Sequence, residues 1–332
     1  MKMFIRLFTC LFFLGGSALA QDISPILKFG LFADTQYADC TSENARFYRQ
    51  ALQKLDTCIN YFNQQNVQFT INLGDIIDRK NSDLKKIMSS LVHLNNEIYH
   101  ITGNHDYKEV TDNSVLYRQL SMPSEYYSFK KQNWVFIMLN TNEVSAYANV
   151  TGTEKEQELA EMLEQIKQTG GKQAYRWNGG ISRKQMKWLD DLLGKCERNH
   201  NNVLIFTHHP LYPQSEFTAL NNMEILNTIS KYPCVKAVFS GHHHAGAFGL
   251  QRNPDDYPGR HDRDGNAKCI LHSRNYSRFY SCERTWKSAF AFIQVLASAL
   301  LERYSDDFCK YGRSPNFFYD VCQPCAGYDR AV

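Results

Sequence analysis

Phe29-Gly30-Leu31-Phe32-Ala33-Asp34-Thr35-Gln36 is the stretch on which the fold turns. Its first five residues read as a buried strand, and the apolar run stops on an acid and an amide. The same arrangement recurs four times. Val67 to Leu73 runs into Gly74-Asp75-Ile76-Ile77-Asp78, and Glu97 to Thr102 into Gly103-Asn104-His105-Asp106. Val203 to Thr207 is followed by His208-His209-Pro210, and Val235 to Ser240 by Gly241-His242-His243-His244. Apolar residues three and four apart predict helices over Ala45 to Phe62, near Leu84 to Leu94, and from a Ser182 cap to about Leu193; Thr153 to Gln168 reads as a charged, solvated helix. A hairpin is expected from Tyr126–Phe129 and Trp134–Leu139, turned at Lys130 to Asn133. Strands alternating with helices predict an α/β layer fold, and open α/β sheets place their ligands at the carboxyl ends of their strands, where these polar residues cluster.

The 332 residues include 37 Lys+Arg and 34 Asp+Glu, a net charge of +3. Nucleic-acid binding needs a clustered cationic excess, so none is expected. Hydrophobic residues at 43% and charged ones at 21% are globular values that exclude a disordered or fibrous chain.

Asp34, Gln36, Asp75, Asn104, His208, His242 and His244 offer carboxylate, amide oxygen and imidazole without thiolate, a donor set for Mn²⁺, Fe²⁺ or Zn²⁺ in a catalytic site rather than for structural zinc. Two ions about 3.5–4 Å apart need a shared ligand, and a carboxylate in a tight Gly-Asp turn such as Asp75 suits that place. His105 beside Asn104 is a reasonable general acid, since imidazole titrates near neutrality. His209, His243 and Asp78 read as neighbours of the ligands, and Asp39 and Asp106 as loop carboxylates without a catalytic role. Alternation along an extended segment is expected to put His242 and His244 on one side and His243 on the other. Tyr37, Tyr107, Tyr212 and Phe217 lie near strand ends, where they could stack on a base or simply form walls.

Taken together, Asp-x-Gln, Gly-Asp-x-x-Asp, Gly-Asn-His-Asp, His-His-Pro and Gly-His-x-His resemble the calcineurin-like metallophosphoesterase superfamily. More narrowly, the run Phe29 to Asp39, with Gln36 where most of the superfamily has histidine, is similar to the manganese-dependent ADP-ribose/CDP-alcohol diphosphatases. So are Gly179 to Leu189 and His208 to Pro213. The resemblance covers Lys28 to about Gly249. It implies a four-layer αββα metallophosphoesterase sandwich with a dinuclear metal site at the strand ends. One ion would be held by Asp34, Gln36, Asp75 and His244, the other by Asp75, Asn104, His208 and His242, with His105 (and Asn104 beside it) at the scissile phosphate. It also implies hydrolysis of a nucleoside diphosphate linkage by a hydroxide held between the two ions, Mn²⁺ being the family's metal, with release of a nucleoside monophosphate. A phosphomonoesterase or phosphodiesterase of another class, or a non-catalytic metal-binding module, are the competing readings. Asp78 counts against the purple acid phosphatases, which carry Tyr there.

Met1 to Ala20 joins Lys2 and Arg6 to a short apolar run and Ala18-Leu19-Ala20, the pattern of a cleaved signal peptide, so a periplasmic or secreted protein without a stable membrane anchor is expected. Its loss would leave nine of the ten cysteines. Beyond Gly249 only Ser288 to Val295 and Gly312-Arg313 look like the family's last strands. Residues 250–332, with Cys322-Gln323-Pro324-Cys325, read either as the remainder of the second sheet with a diverged, disulfide-stapled tail, or as a stretch scrambled by a reading-frame error.

Overall fold

The computed structural model describes residues 27–43, 46–251, 268–272 and 291–295. The leader, Gly312-Arg313 and the Cys322–Cys325 pair lie outside the described residues.

Three parallel strands, β1 (Leu27–Phe32), β2 (Phe69–Asn72) and β3 (Glu97–His100), form the first sheet. The second contains β4 (Tyr127–Lys131), β5 (Trp134–Met138), β8 (Asn202–Thr207) and β9 (Val235–Ser240), of which β5, β8 and β9 are parallel. Two short strands, β6 (Val144–Ser145) and β7 (Gly179–Gly180), pair apart from both. The chain then continues both sheets past Gly249. β10 (Phe248–Gln251) and β11 (Lys268–His272) extend the second, but β12 (Ala291–Val295), within the expected Ser288–Val295 strand, lies antiparallel to β1 and so joins the first sheet, not the second as expected.

Strand alternation sorts the side chains into layers. Phe29 stacks on Phe69 of its own sheet (5.1 Å between ring centres) and meets Phe136, Phe206 and Phe239 of the other edge-on, so these rings fill the space between the sheets. Gly30 faces the other way: a Cβ there would stand 2.7 Å from the Phe62 ring, and its absence lets α1 (Gln50–Gln64) pack flat on the sheet beside α2 (Leu84–Leu91). α3 (Asn113–Gln119) and the charged α4 (Glu154–Thr169) follow in the chain. Val135, Ile137, Val203 and Ile205 point outward onto Leu189 and Leu193 of α5 (Arg183–Arg198) and Ile225 and Ile229 of α6 (Asn222–Ser230). Between β8 and β9 the register slips at Val203/Leu204: Val235 pairs with Val203 but Ala237 with Leu204. The extra residue, Lys236, is a bulge that returns Ala237 and Phe239 to the interior. The result is helix, sheet, sheet, helix, the αββα sandwich expected.

Local boundaries differ from expectation at several elements: β2 and β3 are shorter than their apolar runs, α2 ends at Leu91 rather than near Leu94, and three further differences have a visible cause. The first helix begins at Gln50, not Ala45, because the residues just before it serve other ends: Arg46 reaches Asp78 (2.7 Å) and Arg49 reaches Asp39 (2.6 Å). The hairpin turns on Gln132 and Asn133 alone, with Gln132 at φ 53°, so Lys130 and Lys131 stay in the strand. Ser182 caps α5 as expected, its hydroxyl accepting the Gln185 N–H (3.1 Å), but the helix runs on to Arg198 because Leu193 and Cys196 still face the core.

Candidate active site

β1, β2, β3, β8 and β9 point their carboxyl ends to one edge of the sandwich, and the loops beyond them are stitched together by their backbones. Asp34 N–H donates to Gly74 O (3.0 Å), Gln36 N–H to Asp75 O (2.8 Å) and Gly241 N–H to His208 O (3.0 Å). Asp34, Gln36, Asp75 and His242 all have left-handed backbones, with φ of 54°, 47°, 52° and 65°. L-residues pay for that conformation, and such strain concentrates at functional sites where surrounding structure overrides it. Because His242 is left-handed, its segment is not extended. His244 turns Nε2 toward Asp34 (3.9 Å) and His242 turns its ring toward His208 (5.0 Å between centres), while His243 stacks on Phe217 (4.8 Å, 19°); a turn closed by His243 N–H on Gly241 O (2.7 Å) sets this, not strand alternation.

Asp34, Asp75 and His208 bring one donor atom each within 4.8 Å of one another, all buried. Leu73 O can only accept, so the His208 Nδ1 beside it (2.8 Å) carries a hydrogen, and Nε2 faces Asn104 Oδ1 (3.2 Å) and Asp75 Oδ2 (3.4 Å). Three electron-pair donors therefore converge, and a cation, or a proton on His208, relieves their repulsion. Burial opposes a charge on His208, but Asp75 and Asp34 outweigh it and push the ring to about 9. Burial likewise pushes Asp75 up, and the facing His208 and His105 hold it well below the usual carboxylate range. On the other side, Asp34 accepts the His242 N–H at 3.1 Å through both oxygens, its Oδ1 stands 3.9 Å from His244 Nε2, and Gln36 Nε2 donates to Asp75 Oδ2 (3.3 Å). The residues thus fit two cations, with Asp75 between the two groups of donors. Gly74 (φ 93°) and Gly103 make room: a Cβ on Gly103 would lie 2.2 Å from Asp75 N and Oδ1.

His209, grouped in space with His208 and His242, is not available to a metal. Its Nε2 lies 3.1 Å from Trp177 O, which only accepts, so Nε2 bears the hydrogen. Thr141 Oγ1 accepts the His209 backbone N–H and reaches its Nδ1 (2.9 Å), taking up the remaining nitrogen. Burial, with the charge of His208, lowers His209 to about 3, which keeps it neutral.

His105 Nδ1 lies 3.0 Å from Asp78 Oδ1, and Asp78, buried, also holds Arg46 (2.7 Å) and Arg79 (3.0 Å). Burial lowers His105, but Asp75 and Asp78 raise it further, to about 9, so it is a proton carrier at neutral pH. Tyr37 and Tyr107 are corrected as stacking candidates: both rings are buried in the core, and the Tyr107 hydroxyl is spent on Thr102 (3.0 Å) and Tyr117 (3.2 Å). Tyr212, half-buried, packs on the outer core beneath α5 and α6.

Two residues organise the site that the sequence did not assign to it: Asp106, expected only as a loop carboxylate, and Asn178, which was not singled out. Asp106, fully buried, accepts the N–H groups of Asp75 (3.0 Å), Ile76 (2.9 Å), Ile77 (3.2 Å) and Gly103 (2.8 Å). Asn178, just before the Gly179-Gly180 pair, places Oδ1 3.0 Å from His242 Nε2. The Gly-Asn-His-Asp pattern could have flagged Asp106; nothing local to Asn178 shows which ring it meets.

Residues 27–246 match the family described as calcineurin-like phosphoesterase. The chain is 29% identical over 318 residues to a rice (Oryza sativa subsp. japonica) manganese-dependent ADP-ribose/CDP-alcohol diphosphatase, covering 86% of this chain and 94% of that one. It is 29% identical over 264 residues to the Arabidopsis thaliana protein of that name, covering 70% and 84%. A dimetal phosphatase from Danio rerio shares the fold, with a TM-score of 0.67 at 24% identity over 82% of this chain and 94% of that one. The family match takes in every strand-end loop from Asp34 to His244, and on that ground the chain belongs to the calcineurin-like phosphoesterase family and is a metal-dependent phosphoesterase.

Proposed function

We propose that the protein hydrolyses the diphosphate linkage of a small nucleoside diphosphate compound, of the ADP-ribose or CDP-alcohol type, with two divalent cations, manganese foremost, held by Asp34, Gln36, Asp75 and His244 and by Asp75, Asn104, His208 and His242. When bound, such cations supply an acidified water and positive charge for the phosphoryl oxygens. The chain's own residues supply the rest. His105, protonated and aimed by Asp78, delivers a proton to the leaving phosphate oxygen, and Arg46, half-exposed beside it, adds positive charge at the rim.

The observation that carries the substrate class is a cavity of about 720 Å³ lined by Lys172, Tyr175, Gln214, Glu216, Phe217 and His243. It adjoins the donor cluster through His243 and Phe217, whose ring also meets His242 edge-on at 5.8 Å. Tyr175, partly exposed, stacks on Trp177 at 4.3 Å. Aromatic faces lining a cavity that borders the candidate ligands suit a nucleobase, which every phosphomonoester of small alcohols lacks. The names of the curated relatives support the same class.

The test is Mn²⁺-dependent turnover of ADP-ribose, CDP-choline, cyclic nucleotides and p-nitrophenyl phosphate, with the products identified. A nucleoside monophosphate from the first two supports the reading. Turnover of the monoester or the cyclic nucleotides alone overturns it in favour of another phosphoesterase class.

A further inference from the structure

We propose that Asn178 is a positioning residue for metal binding: its side-chain carbonyl holds His242 as the Nε2–H tautomer, leaving Nδ1 as the coordinating atom, and its amino group ties that imidazole to both loops that wall the cavity. This rests on the reading of His242 as a metal ligand.

The orientation of the Asn178 amide is determined by its surroundings. The residue is 1% exposed, and its Nδ2 donates to Gln173 O (2.8 Å) and Glu216 O (2.7 Å). Both partners only accept, so turning the amide over would set Oδ1 against two carbonyl oxygens. Oδ1 is therefore the atom 3.0 Å from His242 Nε2, and an oxygen without hydrogens is satisfied there only by an N–H. Nε2 carries the hydrogen, and in a neutral imidazole the lone pair is on Nδ1. The His242 backbone is fixed independently by its N–H on the Asp34 carboxylate.

Asn178 has no freedom to retreat. A Cβ on Gly179 would lie 2.5 Å from Thr141 O, and one on Gly180 2.7 Å from Asn221 Oδ1, so β7 sits closer to its neighbours than any other residue permits. Outer partners that fix a ligating histidine's tautomer and ring angle set metal affinity. Here the partner also bridges the loops carrying Gln173 and Glu216, which border the cavity on either side. Ordering of those loops by a ligand and ordering of His242 for a metal pass through one amide group, and such coupling is reciprocal.

The experiment compares the full-length protein with Asn178→Leu, which keeps the volume and loses the hydrogen bonds, and with Asn178→Ser should the leucine fail to fold. Long-range ¹H–¹⁵N correlation spectra of the metal-free proteins report each histidine's tautomer, and calorimetry reports Mn²⁺ affinity and stoichiometry. The parent shows His242 as Nε2–H. In the folded variant that tautomer gives way to a mixture, and Mn²⁺ binds roughly 10–100-fold more weakly. A folded variant that keeps both the Nε2–H tautomer and the parental affinity overturns the proposal. His242→Ala separates the two layers: if it binds Mn²⁺ as the parent does, the ligand reading itself fails; if it loses Mn²⁺ while the Asn178 variant does not, only the positioning role does.

Discussion

The carboxylate of Asp106 accepts the backbone N–H of Asp75 at 3.0 Å, and this bond, with three more to Ile76, Ile77 and Gly103, holds the Gly74-Asp75 turn in its left-handed shape. A carboxylate with no role in the chemistry thereby aims the one that bridges the donor sets. Asp75 Oδ1 accepts the His105 N–H (2.7 Å) in return, so the loops after β2 and β3 lock each other.

Asp106→Asn is expected to set an NH₂ group against N–H donors in a site closed to water. At the cost of stranding buried donors, the loss is about 2–4 kcal/mol, with Mn²⁺ binding weakened in the folded fraction. Urea denaturation with calorimetric metal titration reads both; parental stability would show that the four bonds are replaceable.

A single methyl group tests the closeness of the same two loops. Gly103→Ala places a carbon 2.2 Å from both Asp75 N and Oδ1, which are backbone and buried side chain and cannot swing away. The expected outcome is a protein that folds less stably and binds no metal, seen by thermal melting and elemental analysis; a fully loaded variant would contradict the geometry.

His105→Ala is expected to retain its metals, because no atom of the ring belongs to either donor set, and to lose about 10²–10⁴-fold in kcat on a diphosphate with a poor leaving group. The loss should shrink for p-nitrophenyl phosphate, whose leaving group needs no proton. Equal losses on both substrates would assign His105 to phosphate contact instead.

His100 gives a pH signature away from the donor cluster. Its ring is buried, with Nε2 lacking a partner among the described residues and Nδ1 beside Asn72 Nδ2 (3.2 Å), and burial lowers it to about 4. Above the ordinary value of 6.5 the ring is neutral folded or unfolded. As pH falls from 6.5 to 4 the unfolded chain takes up a proton that the folded one refuses, so stability falls by up to roughly 3 kcal/mol from this group. Denaturation of the metal-free protein across this window should show a shallower slope in His100→Leu than in the parent, whatever the absolute stability of the variant.

Phe217→Ala removes one wall of the cavity. Stacking on a base contributes about 1–3 kcal/mol, so KM for a nucleoside diphosphate substrate should rise roughly 5–150-fold while p-nitrophenyl phosphate turnover barely changes. An equal effect on both would place the ring against the metal ligands rather than the base.

Much of this protein is legible in one dimension. Five apolar runs ending in donors fixed the α/β class and all seven candidate ligands, because strand periodicity and strand-end placement are local rules, and metal chemistry restricts which side chains can serve. What those rules do not reach was decided by packing. Asp78 and Asp106 are both acids in Gly-containing turns, yet one holds Arg46, Arg79 and His105 while the other disappears beneath four N–H groups. From sequence Tyr37 and Tyr107 could stack on a base or form walls; they are core, since a ring's exposure depends on what packs against it. His208 and His209 are adjacent, yet Leu73 O, 135 residues away, meets one nitrogen of His208 and leaves the other for a cation, while Trp177 O, 32 residues away, and Thr141 Oγ1 take up both nitrogens of His209. Sequence alone determined which donors exist and which end of the sheets they occupy; hydrogen-bond partners brought from elsewhere in the chain decided which nitrogen of a candidate ligand such as His208 is left for a cation.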